Sequence, residues 1–142
     1  MTDWDQRFLD LAKHVASWSK DPSTKVGAVI VDKNRVVIGL GYNGFPRGIE
    51  DSPERLSDVD TKYALIVHAE TNAILNASSR VDDCTIYIWP FLSCNQCAKL
   101  IIQAGIVRVV APEGIPDRWA SYMGLALEMY KEAGVVVNGA SE

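Results

Sequence analysis

The chain has 142 residues, 48% of them hydrophobic and 23% charged, and a formal net charge of −4. That length fits one domain with a hydrophobic core that needs no staples. The acidic balance argues against a broad nucleic-acid surface, which needs clustered Lys and Arg, but leaves room for a small phosphate pocket. Residues 2–19 mix Asp3, Asp5, Arg7, Asp10 and Lys13 among apolar positions, so no signal-peptide pattern is present. No apolar run is long enough to span a bilayer. The count of three cysteines is odd, and two of them form a C-x-x-C, which favours metal or redox chemistry over a disulfide framework. The expected compartment is the cytoplasm.

Trp4, Phe8, Leu11, Ala12, Val15 and Trp18 recur at helical spacing, with Thr2 or Asp3 as N-cap. Asp21-Pro22-Ser23 stops this first helix. His14 lies off the apolar stripe and reads as a solvated side chain. Lys25–Val31 and Val36–Leu40 are β-branched and apolar around a polar turn, which predicts a hairpin. Both strands are nearly continuously apolar, so both are expected to be covered on two faces. Gly41–Gly48 holds three glycines and a proline and reads as an irregular loop. The acidic stretch Ile49–Asp60 extends it, and a loop of that length in a compact domain is often functional.

Tyr63–Ala77 reads as one helix, with His68 and Glu70 near the start of its core section, His68–Ala77. Thr85–Trp89 is a third strand, broken by Pro90. Ser93 is placed to N-cap a helix over Cys94–Ala104, which Gly105 closes. Arg108–Ala111 is a fourth strand. Trp119, Tyr122, Met123, Ala126, Leu127, Met129, Tyr130 and Ala133 mark a last helix, closed by Gly134. Trp119 and Tyr122 suit a core stripe and an interface equally. Val135–Val137 is a fifth strand, and the tail from Asn138 is expected to fray. Periodicity alone gives a mixed α/β domain in the order α-β-β-α-β-α-β-α-β, without repeats or linkers.

Two pieces carry the chemistry. His68-Ala69-Glu70 supplies an imidazole and a carboxylate, and Cys94-Asn95-Gln96-Cys97 supplies two thiols one helical turn apart. A helix start favours the thiolate form. One His and two Cys make three zinc ligands and leave one tetrahedral position open, the position that a catalytic site keeps for water. Glu70 must then stay off the metal. A bare C-x-x-C is also compatible with a redox pair. Cys84 lacks metal-ligand spacing and reads as a small buried residue.

The two pieces resemble the H-x-E and P-C-x-x-C signature of zinc-dependent nucleobase deaminases, with Ser93 where the signature has proline. Pro90 could supply the stiffness lost there. Together with Asp21-Pro22-Ser23-Thr24-Lys25-Val26-Gly27-Ala28 and Gly41-Tyr42-Asn43-Gly44-Phe45-Pro46-Arg47-Gly48, they resemble the deoxycytidylate (dCMP) deaminase family. The resemblance implies a three-layer α/β/α cytidine-deaminase-like fold with a five-stranded mixed sheet. It also implies zinc on His68, Cys94 and Cys97, with Glu70 carrying protons while dCMP is hydrolysed to dUMP and ammonia, feeding thymidylate synthesis. Asn43 matches the family's sugar contact, and Ala69 is a further expected substrate contact. Candidates for the 5′-phosphate are Ser23, Thr24, Lys25 and Arg47, although a loop Lys or Arg is usually only solvated. Trp89, Phe91 and Leu92 either wall the base pocket or belong to the core.

Ile49 stands where some family members carry a cysteine for a second zinc, so one zinc per chain is expected. The family implies a homo-oligomer, possibly a hexamer, with dCTP and dTTP as possible effectors, and no membrane or nucleic-acid partner. Alternatives are deamination of another cytosine nucleotide, nucleoside or nucleobase, and a non-catalytic, zinc-stabilised binding or regulatory module.

Overall fold

The computed structural model describes residues 2–114 and 116–139. Its centre is a five-stranded mixed sheet built from β1 (Gly27–Val31), β2 (Val37–Tyr42), β3 (Thr85–Trp89), β4 (Arg108–Val110) and β5 (Val136–Asn138), in the order β2-β1-β3-β4-β5. β1 runs antiparallel to both β2 and β3, and β3, β4 and β5 are parallel. Alternate residues of the central strands feed two cores. Val29, Val31, Tyr87 and Val110 pack with Phe8, Leu9, Ala12 and Val15 of α1 (Asp3–Ala16) on one face. Ala28, Ile30, Ile86, Ile88 and Val109 face the other core. That core includes side chains of α4 (Ala69–Leu75), α5 (Asn95–Gln103) and α6 (Ala120–Ala133). The result is the three-layer α/β/α arrangement.

Local chemistry explains most of the boundaries. Thr2 caps α1 in a reciprocal capping box with Asp5. Gly134 ends α6 with φ of 77°, the left-handed value that favours glycine. β1 is covered on both faces as expected, whereas β2 is an edge strand whose end residues Val37 and Tyr42 are exposed.

Three further expectations are corrected. Ile49–Asp60 is not a plain loop, because it contains α2 (Pro53–Ser57) and the start of α3 (Val59–Leu65). Ser52 accepts a hydrogen bond from the Arg55 amide and Pro53 begins the helix, a start signal within the sequence itself. Tyr63–Ala77 is not one helix. It breaks at Ile66–His68, where Val67 exchanges two backbone hydrogen bonds with Gly44 (2.7 and 3.1 Å). Ser93 does not cap α5: Cys94 holds the N-cap position without a side-chain cap bond, and the Ser93 hydroxyl bonds elsewhere. The fraying expected from Asn138 onward falls largely on residues 140–142, outside those described, while Asn138 itself ends β5. No helix among the described residues is long and apolar enough to cross a membrane.

Candidate active site

The break at Ile66–His68 creates the site. It leaves His68 as the N-cap of α4, in extended backbone (φ −70°, ψ 153°), so its imidazole leaves the helix axis while Glu70 sits in the first turn. Two glycines of β2 set the depth. A Cβ on Gly41 would lie 2.3 Å from the Ala73 nitrogen and 2.4 Å from the Ala69 oxygen, and one on Gly39 would lie 2.6 Å from the Ala73 oxygen. Only glycine lets α4 lie this close to the strand. Cys94 and Cys97 arrive from the start of α5 on the same side of the sheet.

The three ligand atoms converge. His68 Nδ1 lies 3.2 Å from Cys97 Sγ and 3.6 Å from Cys94 Sγ, and all three lie within 4.8 Å of one another. In a tetrahedral zinc site with ordinary bond lengths, N and S ligands are about 3.6 Å apart. The donor set and its spacing therefore fit zinc. Among the described residues this is also the one cluster able to hold a metal, which agrees with one zinc per chain. Glu70 does not belong to the ligand cluster. Glu70 is 4% exposed, and burial pushes its carboxyl above the ordinary carboxylate range, opposed by the charge of His68. Without metal the thiols divide their proton unequally. A hydrogen bond from Cys97, and then one from His68, holds Cys94 well below the ordinary thiol range, while Cys97 is driven up by the Cys94 thiolate and by burial. The hydrogen bond to Cys94 raises His68 against the effect of burial.

A cavity of about 260 Å³ opens beside this cluster, with His68, Ala69, Glu70 and Cys94 in its wall. The model of the "Cytidine and deoxycytidylate deaminase zinc-binding region" matches residues 2–113. The chain belongs to this deaminase family. It is 43% identical over 140 residues to an "Uncharacterized deaminase in luxG 3'region" of Aliivibrio fischeri, a match that covers 96% of this chain and 93% of that protein. It is 46% identical over 114 residues to the human deoxycytidylate deaminase, covering 76% of this chain and 64% of the human one. The structure of the cyanophage S-TIM5 dCMP deaminase in complex with dCMP and dUMP superposes with a TM-score of 0.79, at 23% identity and 98% coverage of both chains. The fold is that of the cytidine deaminases.

Within this deaminase the expected contact residues divide. Asn43, Ser23, Thr24, Ala69, Phe91 and Leu92 line the cavity. Lys25, Arg47 and Trp89 do not. Lys25 is exposed, and Arg47 is exposed with a long hydrogen bond (3.5 Å) to Asn76. Trp89 packs toward the α1 core, with the Lys13 ammonium 5.0 Å from its ring centre. Asn43 is held firmly. Its amide donates to the Thr24 carbonyl (2.9 Å) and to Asp21 (3.3 Å), and its side-chain oxygen accepts from the Val26 amide (2.9 Å). That oxygen keeps one lone pair for a further donor.

Several wall residues were not foreseen. Asp21 is buried and gathers the Ser23 and Thr24 amides (2.8 and 3.2 Å) together with the Lys62 ammonium (3.2 Å). Lys62 is itself buried. The Asx turn at Asp21 was readable from Asp-Pro-Ser-Thr, but a lysine in a helical stretch gives no sign that it is buried. Arg118 donates to the Thr24 hydroxyl (3.2 Å) and lies 5.3 Å from the Trp119 ring centre. Trp119, Tyr122 and Met123 complete the wall opposite α4. The Trp119 indole nitrogen is buried and has no hydrogen-bond partner among the described residues.

Proposed function

We propose that this chain, as one deaminase domain over residues 1–142, hydrolyses dCMP to dUMP and ammonia and so feeds thymidylate synthesis. The observation that carries the reading is a buried carboxyl, Glu70, beside a three-ligand zinc cluster at the wall of one cavity. Zinc held by His68, Cys94 and Cys97 would act as a Lewis acid and make water ionise near neutral pH. Glu70 takes the proton of the attacking water and delivers it to N3 of the pyrimidine. The water oxygen forms its bond at C4 as the C4=N3 double bond opens, and Glu70 then takes the proton of the new C4 hydroxyl to the exocyclic nitrogen, leaving the oxygen to become the product carbonyl. The C4–N bond then breaks and ammonia leaves. Burial holds this carboxyl above the ordinary carboxylate range, so it takes up the water proton more readily than an exposed glutamate would.

The remaining wall supports a nucleotide. The free lone pair on the Asn43 oxygen suits a sugar hydroxyl, and Phe91 and Leu92 offer apolar contact to the base. Ser23, Thr24 and Arg118 stand together at the cavity and suit the 5′-phosphate, with the Trp119 N–H as a further donor. Lys62 serves the same loop through Asp21. The names of the human and cyanophage relatives favour the same substrate.

The test is a substrate panel on zinc-loaded protein: dCMP, CMP, dCTP and deoxycytidine, followed by ammonia release. Preference for dCMP is expected. Arg118→Ala should raise KM for dCMP about 10-fold or more and leave deoxycytidine unchanged, since it removes one charge-assisted phosphate contact. Turnover that ignores the phosphate would overturn the nucleotide assignment.

The same resemblance supports a cytoplasmic homo-oligomer, possibly a hexamer, with dCTP and dTTP as effectors. Exposed Leu75 and Leu100 on α4 and α5 are in keeping with assembly. Sedimentation at micromolar concentration tests it, and a clean monomer would remove that part of the reading.

A further inference from the structure

Ser93 and Tyr130 are 37 residues apart, yet their side-chain oxygens meet at 2.6 Å. Both residues are buried, at 2% and 0% exposure. Ser93 directly precedes Cys94, the ligand that begins α5, and no side chain caps that helix start. The deaminase signature has proline at this position. A proline ring fixes φ near −65° and has no N–H to satisfy, so it stiffens the approach to the first cysteine by itself. Serine gives up that restraint and adds a hydroxyl, which needs a partner when buried. Tyr130, on α6, is that partner. The wall residues Trp119, Tyr122 and Met123 lie immediately before α6 or on it.

We propose that the Ser93–Tyr130 hydrogen bond replaces the signature proline: it fixes the turn that presents Cys94 to the metal and makes α6 a support of the zinc site. Tyr130 is thus a positioning residue for a ligand, acting through Ser93 and the backbone. The proposal rests on the zinc reading above but not on the identity of the substrate. It also explains how this chain does without the proline while its ligand atoms keep zinc-compatible spacing.

The experiment measures zinc affinity by chelator competition, ligand geometry from the visible spectrum of the cobalt-substituted protein, and thermal unfolding with and without metal. Tyr130→Phe removes one oxygen and keeps the ring, so the core stays filled. Loss of such a support typically weakens metal binding by about 10–100-fold. We expect that loss in Tyr130→Phe and in Ser93→Ala, with an altered cobalt spectrum. The double variant Ser93→Pro/Tyr130→Phe should recover most of the affinity, because proline restores the stiffness and no hydroxyl is left unpaired. Wild-type zinc affinity and spectrum in Tyr130→Phe, with equal loss of stability in the metal-free and metal-loaded forms, would reduce the pair to a packing contact and overturn the proposal. So would a proline double variant that binds zinc no better than Ser93→Ala/Tyr130→Phe. None of these readouts uses a nucleotide, so a chain that prefers another substrate would leave them unchanged.

Discussion

Replacing Lys62 with Met removes the ammonium from a buried ion pair and keeps most of the apolar stem. The two side chains are 7% and 4% exposed, so water cannot screen the carboxylate left behind. Removing one partner of a buried pair costs about 3–5 kcal/mol. Asp21 keeps hydrogen bonds from the Ser23 and Thr24 amides and from Asn43, which places the expected loss near the lower bound, about 3 kcal/mol. For a domain of this size, that corresponds to a Tm lower by about 10 °C. The effect on catalysis follows from what Asp21 holds. It orients the loop carrying Ser23 and Thr24 and also the Asn43 amide, so a shift there misplaces the whole nucleotide. Small misplacements of a bound substrate can cost about 100-fold, and kcat/KM should fall roughly 10–100-fold for dCMP and deoxycytidine alike. Calorimetry of the zinc-loaded variant and steady-state kinetics on both substrates check this. A Tm within about 2 °C of wild type with unchanged kinetics would refute the reasoning. A loss confined to dCMP would mean that Lys62 meets the phosphate itself.

Glu70→Gln keeps the shape of the side chain but removes the proton carrier. Turnover should fall by about 100- to 10,000-fold while zinc content, measured by elemental analysis, stays near one per chain. Gly41→Ala places a methyl about 2.3 Å from the backbone of α4, so the helix must lift. A stability loss of about 1–3 kcal/mol or more is expected in denaturant unfolding, together with weaker zinc retention. Asp5 accepts hydrogen bonds from Arg108 (2.8 Å to each oxygen), Tyr87 (2.7 Å) and the Thr2 amide (2.9 Å). Arg108 above all, with Thr2 and Tyr87, holds its carboxyl well below the ordinary value of 3.8, against the opposing effect of burial. Its contribution is therefore complete above that ordinary value and is lost as the pH falls below it toward the depressed folded value. Asp5→Asn should lower Tm near neutral pH and flatten the acid limb of a Tm-against-pH curve. An acid limb as steep as wild type would contradict the assignment.

The sequence was most informative where the determinants are local. The continuously apolar runs of β1 and β3, the glycine after α6 and the capping residue before α1 are written in stretches of a few residues. The spacing of His68 to Glu70 and of Cys94 to Cys97 is equally local: a carboxylate two residues from one zinc donor, and two thiols one helical turn apart. Partners distant in sequence were harder to read. Ser93 has the side chain of a good N-cap, yet a tyrosine from α6 claims its hydroxyl first. Lys62 reads as a solvated lysine, and only the fold brings it against Asp21, 41 residues away. Lys25 before the first strand and Arg47 within the glycine-rich loop carry local signals, whereas Arg118 reaches Thr24 across 94 residues and reads as nothing in particular.

The helix break at Ile66–His68 joins the two kinds of information. Two β-branched residues, Ile66 and Val67, make an extended turn easy locally. Gly44, from the loop after β2, then supplies the hydrogen-bond partners that make it stable. A continuous helix through this point would carry His68 in its interior. The break instead leaves His68 at the cap and starts Glu70 in a fresh turn, so the imidazole and the carboxyl share one wall of the cavity. Gly39 and Gly41 then let that helix lie close to the strand. The glycines around Asn43 are thus as necessary to the metal site as the loop is to the cavity: the same segment that presents Asn43 through Gly44 also sets where α4 begins.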